Sequence, residues 1–134
     1  MKQNSLSTGL LILRVSLGVL MLLHGIARIT GGVEGIENSL VGKGLPGFIA
    51  YGVYVGEVVA PLMLIVGFRT RLAALLFSVN MVVAAVLAHP NDIFALTERG
   101  IYSLETLALF LFGGLALVFT GGGNFAVSSK SWWD

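Results

Sequence analysis

Four ionisable side chains, Arg14, His24, Glu57 and Glu105, sit inside long apolar runs that are broken by glycine rather than by charge. A charge at the centre of a membrane helix costs roughly 2.5–3.5 kcal/mol on insertion scales. Such residues persist where they face one another or a water-filled cavity inside a bundle, so these four are the first candidates for a site. The runs that hold them have about the 20-residue length that crosses a bilayer. Only 11% of the 134 residues are charged, 56% are hydrophobic, and the mean hydropathy is +0.92. Ordinary soluble domains carry about 25% charged residues, so this composition cannot build a water-facing surface. The expected fold is an all-α membrane protein, a four-helix transmembrane bundle with residues 1–134 as its single domain.

Composition also closes off several functions. A net charge of +1 gives no electrostatic case for nucleic acid. Cysteine is absent, which excludes disulfides, thiolate metal sites and CxxC dithiol chemistry. It excludes as well the quinone-coupled disulfide oxidoreductases that use a comparable membrane bundle. Two histidines and a few carboxylates are a thin ligand supply, so no metal site is expected. Lys2 followed by an apolar run from Gly9 resembles a signal peptide. Arg14 falls inside that run and no A-x-A pattern follows it, so the segment reads as a retained first helix.

Helix-stop and turn signals divide the chain. A first helix is expected over residues 8–29, closed by Thr30-Gly31-Gly32. Val33, Ile36, Leu40 and Val41 then recur at helical spacing with Glu34, Glu37 and Asn38 between them, as in a short amphipathic segment at the membrane interface. Gly44-Leu45-Pro46-Gly47 turns the chain into a second helix over 47–66, with Glu57 near its middle and Pro61 one turn later. Gly67-Phe68-Arg69-Thr70-Arg71 is a tight basic turn into a third helix over 70–88, which carries Asn80 and stops at His89-Pro90. A polar loop over 91–100 leads to a fourth helix over 101–120, ended by Gly121-Gly122-Gly123. Lys2, Arg69, Arg71 and Lys130 fall on one side of the membrane and Arg28, Lys43 and Arg99 on the other. The Arg-Thr-Arg cluster places both termini in the cytoplasm. Trp132-Trp133 suits an interfacial anchor there, or a disordered tail.

Depth along the helices decides which charges are expected to meet. Arg14 lies roughly 9 Å from the inner end of its helix and Glu57 roughly 15 Å from the outer end of its own, at 1.5 Å per residue. A long arginine can bridge the gap, so Arg14 is expected to pair with Glu57. His24 and Glu105 both fall within about 8 Å of the outer surface and form the second expected pair. Asn80, Tyr54 and Tyr102 are placed to extend a hydrogen-bonded network around them. Gly18 and Gly25 share a stripe with Arg14 and let a neighbouring helix approach. The charges then either fix the register of the bundle or line a polar pocket or proton path. A carboxylate beside a histidine suits proton transfer in quinol chemistry. A haem held by His24 and His89 is disfavoured, because His24 lies more than a turn deeper than His89 and axial ligands should be level.

Leu13-Arg14-Val15-Ser16-Leu17-Gly18 with Leu23-His24-Gly25 resembles the opening of the DoxX family. So do Gly44-Leu45-Pro46, Glu57, the run from Leu64 to Ala74, and Glu105 near the start of the last helix. The resemblance runs from about Leu10 to Thr120. Arg28-Ile29 departs from it, since many members place a lysine there, but the charge is kept. The resemblance implies a small four-helix protein of the bacterial inner membrane, tied to quinol oxidases, thiosulfate:quinone oxidoreduction and quinone tolerance. Arg14, His24, Glu57 and Glu105 are the positions it carries over.

The sequence thus leads to an accessory or quinone-interacting subunit of a membrane redox system, an enzyme only as part of a quinone-linked oxidoreductase. Glu57 and Glu105 would handle protons, His24 would hydrogen-bond a quinone carbonyl or another polar substrate, and Arg14 would keep Glu57 ionised. Expected partners are the lipid bilayer, quinone or quinol, and redox-complex subunits or further copies of the chain. The alternative is a non-catalytic assembly partner or chaperone whose buried charges are structural. A small-solute permease is a third reading, weakened by the lack of an inverted repeat.

Overall fold

In a computed structural model, residues 2–32, 34–88, 104–127 and 134 are described, and among them every regular element is helical. The first helix, α1, runs from Lys2 to Gly31, longer at both ends than the apolar run alone indicated. A short helix, α2 (Glu34–Gly42), follows. The next helical segment, α3 (residues 47–66), changes pitch along its length. It opens as a 3₁₀ turn, Gly47–Tyr51, passes through Gly52–Tyr54, widens to a π-turn at Val55–Val59 and finishes as an α-helix, Ala60–Val66. Two further helices, α4 (Thr70–Ala88) and α5 (Glu105–Thr120), complete the described chain.

The long helices lie side by side in cyclic order: α1 on α3, α3 on α4, α4 on α5, with α5 closing more lightly onto α1. Their shared core is built from Leu10, Leu17, Met21, Leu64, Phe77 and Phe110, filled between by Ala60, Ala73 and Ala74. Small residues at the contacts set the spacing, as in helix packing without a hydrophobic drive between helices. A Cβ at Gly18 would lie 2.8 Å from the Pro61 carbonyl oxygen, and one at Gly25 would strike the Glu57 carbonyl. Two glycines seven residues apart on α1 thus let its backbone run against that of α3.

The outer surface is as apolar as the core. Leu20, Leu23, Val79, Val82, Leu109 and Phe119 all point outward and are exposed. So broad an apolar coat has no counterpart on a monomeric soluble protein, whose largest exposed patches are a few hundred Å². One helix, over Asn4–Gly31, is long and apolar enough to cross a membrane; Val55–Val66, Thr70–Val86 and Glu105–Thr120 are shorter apolar helices.

At the end that carries the first long loop, α2 folds back onto the 3₁₀ turn of α3. Leu40 is buried there with Ala50, with Tyr54 packed against them, while the Tyr51 hydroxyl donates to the Glu37 carboxylate. At the opposite end, Gly67 takes a left-handed conformation (φ 78°) that stops α3, and Arg69 pairs with Asp134 at 3.8 Å.

Candidate functional site

Arg14 is 1% exposed and gives all of its hydrogen bonds to main-chain carbonyls. Nη1 donates to Leu64 at 2.9 Å and Ile65 at 2.8 Å, Nη2 donates to Phe125 at 2.7 Å, and Nε donates to Gly122 at 3.4 Å. The first two oxygens belong to the end of α3, where the last four carbonyls of a helix have no donor of their own. Every one of the four is met. Met63 takes the amides of Gly67 and Phe68, Leu64 and Ile65 take Arg14, and Val66 takes the amide of Val127. The guanidinium therefore sits at the negative end of the α3 dipole, which favours a cation. The expected Arg14–Glu57 pair is not formed. Leu64 and Ile65 lie about two turns beyond Glu57 on the same helix, and it is these carbonyls that hold the charge.

Glu57 sits in the middle of the π-turn and is 7% exposed. Pro61 has no N–H to give to the carbonyl four residues before it, which is that of Glu57 itself. The chain widens by one residue there, and the amide of Ala60 bonds back to Val55. Such π-turns recur at functional sites, because the extra residue redirects the side chains that follow.

The widened turn borders a cavity of about 190 Å³ lined by Met21, His24, Glu57, Met81, Ala84, Thr106, Leu107 and Phe110. Among the described residues, three groups with polar atoms share one space: an imidazole from α1, a carboxylate from α3 and a hydroxyl from α5. The rest of the described wall is two thioethers, an aromatic ring and alkyl groups. His24 is exposed at the edge of this space. Its Nδ1 lies 3.1 Å from the Leu20 carbonyl, one turn back, and its ring stands edge-on to Phe110 at 6.1 Å between centroids. Leu107 also lines a second, almost wholly apolar groove of about 340 Å³ between α4 and α5, bordered by Val82, Ala85, Val86, Ala108 and Phe112.

The other expected site residues are dispersed. Glu105 is the first residue of α5 and is exposed, not turned to His24, so their expected pair is absent. A carboxylate is well placed there by the helix dipole, and the next residue, Thr106, faces the cavity instead. Asn80 borders a separate groove with Gly52, Gly56 and Val79, and its buried Nδ2 has no hydrogen-bond partner. Tyr54 belongs to the Leu40–Ala50 cluster near α2. Tyr102 and His89 lie outside the described residues, as do Lys130, Trp132 and Trp133. Among the described residues no group of three or more His, Cys, Asp or Glu is placed to hold a metal. Sequence reasoning assigned none of Met21, Met81, Thr106 and Phe110 to a site, although Met21 falls on the same stripe of the first helix as Arg14, Gly18 and Gly25, with His24 beside it.

Comparison with known proteins adds the following. Residues 9–90 match the DoxX family model. The chain is 32% identical over 129 residues to the inner membrane protein YqjF of Escherichia coli (strain K12), covering 92% of this chain and 95% of that one. It is 30% identical over 83 residues to a Bacillus subtilis (strain 168) protein named "Putative oxidoreductase CatD". That match takes in 62% of this chain and 61% of the length of the relative. No solved structure matches.

Proposed function

Because this chain belongs to the DoxX family, we propose that it is a four-helix protein of the bacterial inner membrane that binds a quinone or quinol headgroup in the His24–Glu57 cavity. In this reading α1, α3, α4 and α5 cross the bilayer, α2 lies at the outer interface, and both termini are cytoplasmic. The protein serves as an accessory, quinone-interacting subunit of a redox system. Glu57 takes or returns the ring's proton, His24 holds the ring oxygen, and Phe110 with Met21 and Met81 packs on the ring faces.

The observation that carries this reading is the π-turn that sets a carboxylate in the same cavity as a histidine, where the other described walls are apolar apart from the Thr106 hydroxyl. The neighbouring apolar groove, sharing Leu107, gives a tail bound to such a ring a place to lie. The names of the two relatives, an inner membrane protein and an oxidoreductase, agree with it in kind. Purification in mild detergent, followed by an absorption spectrum and analysis of the lipid extract, tests it. Quinone should co-purify with the chain and be lost in Glu57→Gln and His24→Ala proteins that still fold; a wild-type preparation free of quinone argues against it.

A second reading, a non-catalytic assembly partner, draws on Arg14, whose buried charge serves only main-chain carbonyls. It calls for a stoichiometric protein partner and no small molecule in the same preparation.

A further inference from the structure

The glycine run after α5 does more than end that helix. Gly121 (φ 75°) and Gly123 (φ 77°) both adopt a positive φ, and between them the amide of Gly122 donates to the main-chain oxygen of Asp134 at 3.0 Å. A Cβ at Gly121 would lie 2.5 Å from that oxygen and 3.2 Å from Arg71 Nε. The bare glycine thus leaves room for an oxygen-bearing group beside the Arg71 side chain. The Asp134 side chain is 4% exposed, and its carboxylate lies 3.8 Å from Arg69 Nη1. Two guanidiniums and a glycine amide converge on one residue, and what they hold is an anion.

Asp134 matches only part of this cradle. Its ion pair with Arg69 is about an ångström longer than a charge-assisted N–H···O bond, which measures about 2.7–2.9 Å. Arg71 Nε is buried and has no hydrogen-bond partner among the described residues. The Thr70 hydroxyl is in the same condition, fully buried against Gly122, the residue whose amide holds Asp134. A buried donor without an acceptor is costly. A tetrahedral oxyanion offers more oxygens, in more directions, than a planar carboxylate does, and arginine forks suit it well.

The surroundings say which oxyanion. Arg69 stands over the Phe68 ring at 5.5 Å, and Phe68, Phe125 and Val127 are exposed nearby. Basic and aromatic groups together at the end of an apolar bundle mark the level of the lipid headgroups. We propose that Arg69, Arg71, the Thr70 hydroxyl and the Gly122 amide bind the phosphate of an anionic phospholipid, and that Asp134 is its competitor within the chain. When the lipid seats, the Asp134 carboxylate leaves. This site shares no residue with the His24–Glu57 cavity and holds whatever that cavity binds.

The test melts the full chain in mild detergent with increasing dioctanoyl phosphatidylglycerol, dioctanoyl phosphatidylcholine or inorganic phosphate, and takes affinities from the melting shifts. Both lipids carry the phosphate, but choline cancels its charge and faces two arginines. Phosphatidylglycerol should bind about tenfold more tightly than phosphatidylcholine, the order expected of two arginines near a lipid surface. Asp134→Asn removes the competitor and should tighten phosphatidylglycerol roughly threefold further. Glu34→Gln on α2, at the other end of the bundle, removes the same charge and should change nothing. The double variant Arg69→Gln, Arg71→Gln should bring the two lipids to parity; if it does not fold, Asp134→Asn decides alone. Equal affinities for the two lipids in the wild type overturn the proposal, as does an Asp134→Asn protein with no gain. A preference that persists in the folded double variant places the lipid elsewhere and overturns it too. Inorganic phosphate as effective as phosphatidylglycerol overturns the lipid as the source of the anion.

Discussion

Gly25 of α1 lies against the main-chain carbonyl of Glu57, so closely that a methyl group at position 25 would collide with that oxygen. The carbonyl is the one that Pro61 cannot serve, and the glycine is what allows α1 to cover it. Gly18 repeats the relationship one turn of α3 away, against Pro61 and Ile65. The position of the candidate site is thus set by backbone contact between two helices, with side chains fitted around it.

Replacing either glycine with alanine should therefore separate α1 from α3. Overpacking of this kind costs about 1–3 kcal/mol, and the loss should appear as a lower melting temperature in detergent for Gly18→Ala and Gly25→Ala. Gly9→Ala, where a Cβ meets nothing within 4 Å, is the control. It should melt at or slightly above the wild-type temperature, since alanine is the better helix former. An unshifted melt in Gly25→Ala would refute the close contact.

Arg14→Met should destabilise strongly, by about 3 kcal/mol or more. It removes the donor from four carbonyls, two of them buried (Leu64 and Gly122) and two partly buried (Ile65 and Phe125), and each buried unmatched group costs about 1–3 kcal/mol. Arg14→Lys should recover only part of this, because one ammonium cannot reproduce the planar fork that reaches α3 and the segment after α5 together. Melting and the yield of folded protein are the readouts. Ligand content per folded molecule should stay at the wild-type level, which separates this role from that of the cavity.

Pro61→Ala separates stability from site geometry in the opposite way. It returns an N–H to the Glu57 carbonyl and removes the cause of the π-turn. The helix should hold or gain stability, while Glu57 is rotated away from His24. Retained quinone, measured in the lipid extract, should fall about tenfold, as for a lost charge-assisted hydrogen bond. A variant with unchanged melting and unchanged ligand content would show that the π-turn is incidental.

Glu105 and Ala84 make a paired test of which wall of the cavity matters. Glu105→Gln should change stability by less than about 0.5 kcal/mol and leave ligand retention intact, as exposed substitutions generally do. Ala84→Trp fills the His24–Glu57 cavity from the α4 side and should abolish retention while the helices stay assembled, checked by circular dichroism. Loss of ligand in Glu105→Gln alone would restore Glu105 to the site.

The apolar groove yields a test of how a long-tailed ring is held. Ala108→Trp should weaken binding of a long-tailed quinol and leave a tail-less hydroquinone unaffected, because Ala108 borders the groove and not the polar cavity. Equal weakening of both would mean that the tail lies elsewhere.

The reach of the sequence differed from one kind of feature to another. Helix positions could be read because run length, Gly67 and Gly121, and Pro61 are all local signals. Depth could be read too, from the rise per residue. What depth leaves open is the angle around each helix axis. Glu57 was placed at a depth that allowed Arg14 as a partner, but the π-turn shifts the facing direction, and a residue's direction changes by about 100° per position. The same angular step separates Glu105, off the cavity, from Thr106, at its wall. The partners of Arg14 carry no sequence signature at all, because every residue owns a carbonyl. Only the folded chain selects Leu64, Ile65, Gly122 and Phe125 from among them.

That selection has a consequence for the order in which the protein is made. Arg14 is made before its partners, which lie 50 and 51 residues later in α3 and 108 and 111 residues later beyond α5. Until Phe125 has followed, the guanidinium lacks part of its acceptor set, and a cation that is not fully coordinated resists entry into hydrocarbon. The first helix can settle at its final depth only when the segment after α5 has arrived, so Arg14 ties the seating of α1 to residues more than a hundred positions later.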